Sequence, residues 1–361
     1  SGRLYPLRRA RGYAPDPFRL PRELPPILAP GAELKTTFSL TRERYAFISH
    51  HIGDLENYET LGSFEQGIRH YERLFRIQPE CIAYDLHPDY LATRYALERA
   101  CREDLPAIGV QHHHAHIAAG MADNGLDGAR PVIGIALDGT GYGPDGAIWG
   151  GEFLLADYAG YQRLAHLAYV PLLGGDRAVR EPWRIALAWL AQAGIEWDEH
   201  LPPVRHAIQS AGAGTDPLAV IRHQLNRRLN APLTSSMGRL FDAVASILGV
   251  RQAVSYEAQA AIELEALADP TESGGYPLEL SGELLDPTSM LHTLVRDLRL
   301  GTSLQVLSAR FHNGIAEAVR LVCNQLRAQH GLQQVVFSGG VWQNMFLLEQ
   351  AISRLQQDGF T

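Results

Sequence analysis

Apolar residues along the chain recur in two rhythms, which together predict alternating strands and helices. Residues 81–86 and 132–138 are short, nearly continuous apolar runs, typical of buried strands. Residues 63–76 carry apolar side chains three and four positions apart, which predicts an amphipathic helix. Further strands are predicted at 34–40, 44–50, 107–110, 147–157, 162–169 and 334–338, and further helices at 90–101, 113–124, 240–248 and 343–356.

The same order of elements occurs twice, although no sequence repeat is detectable. Strands followed by alternating helices and strands fill residues 31–128, and the plan starts again within 129–361. This duplication predicts an α/β protein of two lobes, each with a ribonuclease-H-like sheet, and a helical insertion at about 176–330 in the second lobe. Seven prolines within residues 1–30 predict an extended linker there, because proline donates no backbone hydrogen bond.

Composition excludes several classes of protein. The chain has 361 residues, of which 46% are apolar and 20% charged, so we expect a globular protein with more than one core. A net charge of −8 argues against nucleic-acid binding through a basic surface. No apolar run reaches the roughly 20 residues that span a bilayer, and no leader is recognisable. The three cysteines form no CxxC pair, so we expect no disulfide framework and a reducing cytoplasm.

Lysine is almost absent from the sequence. Of the 32 basic residues, 31 are arginine, and Lys35 is the single lysine. A lysine offers a compact ammonium group and a pKa that can fall, neither of which arginine provides. Lys35 is therefore a candidate catalytic residue. Chance survival of an ordinary surface lysine is the alternative.

Four histidines within five residues, at 112–116, indicate a metal site. His112 and His116 are four positions apart, so on a helix their imidazoles lie on one face and suit a single ion. Exposed histidines on a helix surface are the alternative interpretation. His113 and His114 point away from that face and require a separate explanation.

A glycine-rich stretch, DGTGYG at 138–143, follows the predicted strand 132–138 and leads into a hairpin. Glycines let the backbone approach an anion closely, and Asp138 could bind a metal ion or order a water on it. A dinucleotide loop is excluded, because that loop leads from a strand into a helix. The hairpin resembles the phosphate hairpin of actin-like ATPases, although an ordinary glycine-rich turn is the alternative.

Four other stretches carry candidate residues. Gly339 and Gly340 stand between a strand and a helix, where a ribose or a base could approach, and Asn344 offers a donor and an acceptor. Asp242 lies in an otherwise apolar helix, where a carboxylate is costly without a partner. Each of these features is also compatible with a structural role. The histidines and aspartates of 49–54 and 85–89 follow predicted strands and are candidates for acid–base chemistry.

Nearly the whole chain resembles the HypF family of carbamoyltransferases, which act in [NiFe]-hydrogenase maturation. The stretches that carry the resemblance are RRARGYAP at 8–15, GAELKTTF at 31–38, SHHIGDLENYET at 49–60, DLHPDY at 85–90, VQHHHAHIAA at 110–119, ALDGTGYGPDG at 136–146, GGDRAVREPWRIAL at 174–187, GRLFDAV at 238–244 and FSGGVWQN at 337–344. The resemblance implies a two-lobed, actin-like module similar to the universal tRNA threonylcarbamoyl-adenosine transferase. It also implies that residues 8–15 are the tail of a preceding adenylating domain.

The resemblance assigns roles to individual residues. It implies an iron or zinc ion held by His112, His116 and Asp138. It also implies a nucleotide, either ATP or carbamoyl adenylate, with Mg²⁺ as a further candidate ion. The nucleotide-binding residues would be Gly139, Thr140, Gly141, Tyr142, Asp242, Gly339, Gly340 and Asn344. Two departures affect these roles: Ala258 stands where the family has glycine, and the NDGG stretch with a further metal-ligating aspartate is absent from the 361 residues.

The implied reaction is carbamoyl transfer from carbamoyl adenylate to the C-terminal cysteine of the partner protein HypE. Lys35 or His51 would stabilise charge on the carbamoyl oxygen. A small-molecule O-carbamoyltransferase and a non-catalytic fragment that docks HypE are the alternatives. A tRNA-modifying enzyme is disfavoured by the net charge of −8.

Overall fold

The computed structural model describes residues 12–212 and 216–361, which form a mixed α/β structure. The chain divides into two compact units. The first unit comprises residues up to 115 together with 121–129, and the second comprises 116–120 together with 130–361. The units therefore share one helix, α3 (His112–Asp123). Among the residues described, no helix combines the length and the apolar character needed to cross a membrane.

The first unit is built on a five-stranded sheet with the spatial order β1-β3-β2-β4-β5. Strand β3 runs antiparallel to β1 and β2, whereas β2, β4 and β5 are parallel. Helix α1 buries Phe64 and Tyr71 against Phe38 in edge-to-face contacts, with ring centroids 5.9 and 5.1 Å apart. The elements before α3 are β1 (Phe18–Leu24), β2 (Ile27–Ala29), β3 (Ser39–Ile48), α1 (Tyr58–Phe75), β4 (Cys81–Asp85), α2 (Leu91–Glu103) and β5 (Ala107–Val110).

The N-terminal region differs from its prediction. Strands β1 and β2 occupy residues for which an extended linker was expected, and residues 1–11 lie outside the described part. Pro21 is tolerated because β1 is an edge strand whose pairing is irregular between Arg19 and Leu24. The predicted hairpin at 34–40 and 44–50 is also wrong, since one long strand, β3, spans most of that stretch.

The second unit contains a six-stranded sheet with the order β11-β12-β8-β7-β6-β13. Strand β6 lies between its antiparallel neighbour β7 and its parallel neighbour β13, and all six of its residues are buried. A short pair, β9 and β10, forms a separate ladder. The strands are β6 (Val132–Leu137), β7 (Gly151–Ala156), β8 (Tyr161–Leu167), β9 (Val170–Pro171), β10 (Leu233–Thr234), β11 (Glu279–Ser281), β12 (Leu284–Asp286) and β13 (Val335–Ser338).

Helices supply most of the second unit's core. Helix α8 buries ten of its eleven residues, and α5 buries eight of its eleven. The insertion predicted as helical also holds three short strands, of which β12 extends the sheet beside β8. The helices are α4 (Asp176–Arg180), α5 (Pro182–Gln192), α6 (Pro202–Gln209), α7 (Pro217–Arg227), α8 (Met237–Ile247), α9 (Gln259–Leu267), α10 (Thr288–Arg299), α11 (Leu304–His330) and α12 (Met345–Gln357).

Candidate functional site

The glycine-rich hairpin begins where β6 ends, as predicted. Asp138 follows the strand directly, and its Oδ1 accepts a hydrogen bond from the backbone N–H of Gly139 at 2.7 Å. A bridge between Tyr142 and Ile148 closes the hairpin. The N–H of Gly143 donates to the carbonyl of Ala147 at 2.9 Å. The hairpin is therefore a defined turn anchored on a buried strand.

The amino terminus of α8 is hydrogen-bonded to the base of this hairpin. Ser236 caps α8, and its Oγ lies 2.7 Å from the carbonyl oxygen of Asp138 and 2.9 Å from that of Gly139. The N–H of Gly238 donates to the same Asp138 carbonyl at 3.1 Å. A Cβ on Gly238 would lie 3.0 Å from the Gly139 Cα, so a side chain there would push the two segments apart.

The turn after β13 passes the other side of Asp138. Because β13 is parallel to β6, with Ser338 opposite Ala136, both strands end at the same edge. Gly339 has a φ of +105°, and a Cβ there would lie 2.2 Å from the carbonyl oxygen of Leu137. A Cβ on Gly340 would lie 3.1 Å from Asp138 Oδ1. Glycine is thus required for this approach, and the structure brings together three motifs that are far apart in the sequence.

His116 reaches the same strand end. Its Nε2 lies 3.4 Å from Asp138 Oδ2, and its Nδ1 lies 3.1 Å from Ser338 Oγ. Small residues seat this stretch of α3 on the sheet, since a Cβ on Gly134 would meet the Ile117 side chain at 2.6 Å. Hence His116 and Asp138 are brought together as predicted.

His112 begins α3, and its orientation is set within the first unit. Its Nδ1 lies 2.6 Å from Oδ2 of Asp85, the last residue of β4, while Asp85 Oδ1 accepts the His87 N–H at 2.9 Å. A carboxylate on one imidazole nitrogen fixes the tautomer that leaves the other nitrogen for a ligand. His112, His116 and Asp138 are a group of side chains that could hold a metal ion.

The neighbouring histidines have other surroundings. His113 is fully buried, and its Nδ1 lies 3.3 Å from the Gln111 amide nitrogen. Gln111 Oε1 also accepts the backbone N–H of His114 at 2.9 Å. His113 is therefore a core residue, which explains why the cluster contains more histidines than one ion needs.

Lys35 and His51 lie on two loops of the first unit that pair with each other. The backbone N–H of Thr36 donates to the carbonyl of Gly53 at 2.8 Å, and the N–H of Ile52 donates to that of Thr36 at 3.1 Å. Lys35 is exposed, adopts a left-handed backbone with φ of +53°, and donates its N–H to Asp54 Oδ1 at 2.6 Å. The structure thus brings their loops together, and the catalytic roles remain predictions.

Asp242 and Asn344, predicted to bind nucleotide, both have protein partners. Asp242 is buried, and its Oδ2 lies 2.9 Å from Arg239 Nη1; burial raises the pKa of this carboxyl group, against the opposing effect of the arginine. Asn344 caps α12 by accepting the Leu347 N–H at 2.8 Å, and its amide nitrogen lies 2.8 Å from Nε2 of His312. These contacts are structural, and nucleotide binding by either residue remains a prediction.

Two known protein families match most of the chain. Residues 22–123 match the family described as HypF Kae1-like domain. Residues 134–361 match the family described as carbamoyltransferase, Kae1-like domain, second subdomain. The chain belongs to the HypF carbamoyltransferase family. The resemblance that the motifs indicated is therefore confirmed, as is the α/β class of the fold.

Curated HypF proteins align with nearly all of the chain. Carbamoyltransferase HypF2 of Cupriavidus necator is 39% identical over 98% of the chain, and the probable carbamoyltransferase HypF of Methanocaldococcus jannaschii is 30% identical over 100% of it. The chain spans about half the length of these relatives, 46% in both cases. A HypF homologue of C. necator is 38% identical over 89% of the chain, and 82% of that relative is covered.

A solved HypF structure matches nearly the whole chain. The structure described as full-length HypF in the phosphate- and nucleotide-bound form has a TM-score of 0.88 and 41% identity, covering 97% of this chain and 45% of that one. The HypF of T. kodakarensis has the same TM-score at 32% identity, with 100% of this chain and 48% of that one covered. The fold described above is therefore similar to that of about half of each of these HypF chains.

Sequence reasoning missed one residue of the candidate site, Glu152. Glu152 is fully buried and accepts from the N–H groups of Gly150 and Gly151 at 3.0 and 3.1 Å and from Ser235 Oγ at 2.6 Å. It thus braces both the hairpin base and the segment leading into α8. The available signal was a lone carboxylate in an apolar strand, the same signal that drew attention to Asp242.

Proposed function

We propose that this chain transfers a carbamoyl group from carbamoyl adenylate to the C-terminal cysteine thiolate of HypE. Dehydration of the product on HypE would then give a thiocyanate, the source of cyanide for the hydrogenase iron. The observation that carries the proposal is the convergence of three glycine-bearing motifs on Asp138 and Gly139. This convergence occurs in a chain that is 41% identical to a HypF described as phosphate- and nucleotide-bound.

The hairpin is the proposed site for the phosphate of the adenylate. The four residues from Gly139 to Tyr142 would present their backbone N–H groups to this phosphate, as anion-binding turns do. Gly339 and Gly340 let the turn after β13 pack closely against Asp138, and the nucleoside would bind beside this turn. Asn344 has one amide hydrogen left for a nucleotide, because the other is directed at His312.

The transfer itself is an acyl substitution at the carbamoyl carbon. The cysteine sulfur forms a bond to that carbon, the bond from the carbon to the phosphate oxygen breaks, and AMP leaves with the electron pair. Lys35 and His51 are the candidates for stabilising charge on the carbamoyl oxygen. A positive group near the acceptor would also favour its thiolate form.

His112, His116 and Asp138 would hold an iron or zinc ion. Two imidazoles and one carboxylate suit either metal, and the 3.4 Å separation of His116 from Asp138 fits a shared ligand sphere. Bound there, the ion would supply Lewis acidity toward a phosphate or carbamoyl oxygen. Asp85 would keep His112 in the tautomer that binds.

We also infer that the two units are the lobes of an actin-like, duplicated ribonuclease-H-like fold. In the second unit, β6, β7 and β8 form an antiparallel meander with β13 parallel to β6. In the first unit, β2 and β3 take the equivalent places and β4 is parallel to β2. The third place is filled by β1, which comes from upstream in the chain.

The test is a transfer assay with supplied carbamoyl adenylate. Purified protein, carbamoyl adenylate and HypE are mixed, and the mass of the HypE C-terminal peptide is followed, with HypE lacking its terminal cysteine as control. We expect a carbamoyl adduct on the cysteine and release of AMP. Intact carbamoyl adenylate after incubation would contradict the activity. AMP release without an adduct would favour a small-molecule acceptor, and HypE binding without turnover would favour the docking alternative.

The metal is tested separately by elemental analysis. Wild-type protein is compared with the His112→Ala/His116→Ala double variant, and ATP binding is measured by calorimetry in both. We expect near-stoichiometric iron or zinc in the wild type and its loss in the double variant. Equal metal content in the two proteins would contradict the proposed ligands.

A further inference from the structure

Arg239 is a buried cation whose side-chain hydrogen-bond donors are not all satisfied. Only 5% of the residue is exposed, and it lies on α8, an otherwise mostly apolar helix. Its Nη1 lies 2.9 Å from Asp242 Oδ2, one turn further along the helix. Within the described residues, neither Nε nor Nη1 meets an acceptor with hydrogen-bond geometry. Buried donors are nearly always satisfied in native proteins, so these two indicate a missing acceptor.

The guanidinium is directed at the glycine-rich hairpin. Arg239 Nη2 lies 3.4 Å from the position that a Cβ on Gly139 would occupy. The absence of a side chain at Gly139 therefore keeps open the space beside the cation. Within the part of the chain that is described, no backbone carbonyl accepts a hydrogen bond from the N–H groups of Thr140 and Gly141.

The backbone N–H groups at the amino terminus of α8 are not available to bind an anion beside the hairpin, because they already donate to the protein. The N–H groups of Met237, Gly238 and Arg239 donate to Gly150, Asp138 and Ser236 respectively, at 2.9, 3.1 and 3.2 Å. Any anion beside the hairpin would consequently depend on the arginine side chain and the hairpin backbone. A planar guanidinium with several donors is well suited to phosphate oxygens.

We propose that Arg239 binds a phosphate oxygen of the nucleotide, beside Gly139. This inference rests on the proposed nucleotide site and adds to it a charged contact that the motif did not assign. Asp242, whose Oδ2 lies 2.9 Å from Arg239 Nη1, acts as a positioning residue for the guanidinium.

The experiment compares three probes by calorimetry: AMP, adenosine and inorganic phosphate. The variants are Arg239→Gln, Arg239→Lys and, as a matched control, Arg184→Gln. Arg184 is also a mostly buried arginine of the second unit, paired with Glu181 and stacked on Trp183. We expect Arg239→Gln to weaken AMP binding roughly 10- to 100-fold and to leave adenosine binding unchanged. Inorganic phosphate should compete with AMP for the wild-type protein but not for Arg239→Gln. We expect Arg184→Gln to leave all three probes unaffected.

The outcomes separate this inference from the proposed function. If wild-type protein binds neither AMP nor adenosine, the nucleotide site itself is wrong. If wild type binds AMP and Arg239→Gln binds it equally well, the inference is overturned. Equal weakening of AMP and adenosine would assign Arg239 a purely structural role, which also overturns it. If Arg239→Gln fails to fold, Arg239→Lys provides the test, because lysine keeps the charge but lacks the planar guanidinium. The inference then requires that Arg239→Lys bind AMP more weakly than wild type and adenosine equally well.

Discussion

Buried His312 is expected to make the stability of the second unit depend on pH. The residue is fully buried among aromatic rings, with Phe241 and Phe346 at 5.3 and 5.4 Å between centroids. Its Nδ1 lies 2.7 Å from the Ser308 carbonyl, so this nitrogen donates, and Nε2 accepts from the Asn344 amide. In the neutral imidazole both ring nitrogens therefore have a hydrogen-bond partner. In the charged imidazolium, the added proton on Nε2 would face the N–H group of Asn344.

The magnitude follows from the pKa of this imidazole. Burial lowers the pKa of His312 from 6.5 to about 4. The unfolded chain takes up a proton near pH 6.5, while the folded chain does so only near pH 4, so stability falls as the pH is lowered between these values. At about 1.4 kcal/mol for each pKa unit, the full loss is about 3 kcal/mol and is essentially absent above pH 7.

Tryptophan fluorescence is a suitable assay, because all five tryptophans lie in the second unit. Urea unfolding is measured from pH 7 to pH 4.5 for wild type, for His312→Gln and for the control His330→Gln, an exposed histidine of the same helix. We expect His312→Gln to be less stable at pH 7 but to lose less stability on acidification. A variant whose stability falls with pH as steeply as that of wild type would refute the reasoning.

Three further predictions follow from the site. Gly339→Ala should destabilise the second unit by more than about 2 kcal/mol, because its Cβ would lie 2.2 Å from a carbonyl oxygen at φ of +105°; Gly331→Ala, at φ of +70° in open space, should cost about 1 kcal/mol, and thermal unfolding checks both. Asp85→Asn should weaken zinc binding roughly 10- to 100-fold with AMP affinity unchanged; equal zinc affinity in a titration would exclude an orienting role. Lys35→Arg should slow carbamoyl transfer from supplied carbamoyl adenylate, and an unchanged rate would remove Lys35 from the mechanism.

The apolar pattern predicted those strands and helices whose regular spacing of apolar residues lies within the element itself. The strand β6 and the helices α2 and α3 lie within one or two residues of their predicted bounds. Strand β1 was missed because its place in the sheet comes from pairing with β3, and Pro21 hid the extended pattern. Strand β12 was missed because it gains its partner from β8, more than a hundred residues earlier in the chain.

The candidate site shows the same division between local and distant information. Gly139, Gly339 and Gly340 were predicted to let an anion, a ribose or a base approach the backbone. The structure shows other segments of the protein close to these positions, and the approach of a ligand stays a prediction. Asp138 and His116 were predicted to meet, and they do. Arg239 was passed over because its significance depends on the distance to Gly139, a hundred residues away, and on donors that remain unsatisfied.

A comparison of buried Arg239 with Arg163, a half-buried arginine of the same unit, shows why the unsatisfied donors of Arg239 are informative. Arg163 also pairs with a buried carboxylate, Glu152, but its other nitrogens reach Tyr169 Oη at 2.7 Å and Ser235 Oγ at 3.3 Å. Its guanidinium carbon lies 4.0 Å from the Trp149 ring centroid. A guanidinium in this protein can therefore be fully satisfied by its own chain where its task is structural. Arg239 is more deeply buried and pairs with Asp242, but among the described residues its Nε and Nη1 meet no acceptor in hydrogen-bond geometry. Because its guanidinium also lies beside the glycine-rich hairpin, the proposed phosphate would supply the acceptor that these donors lack.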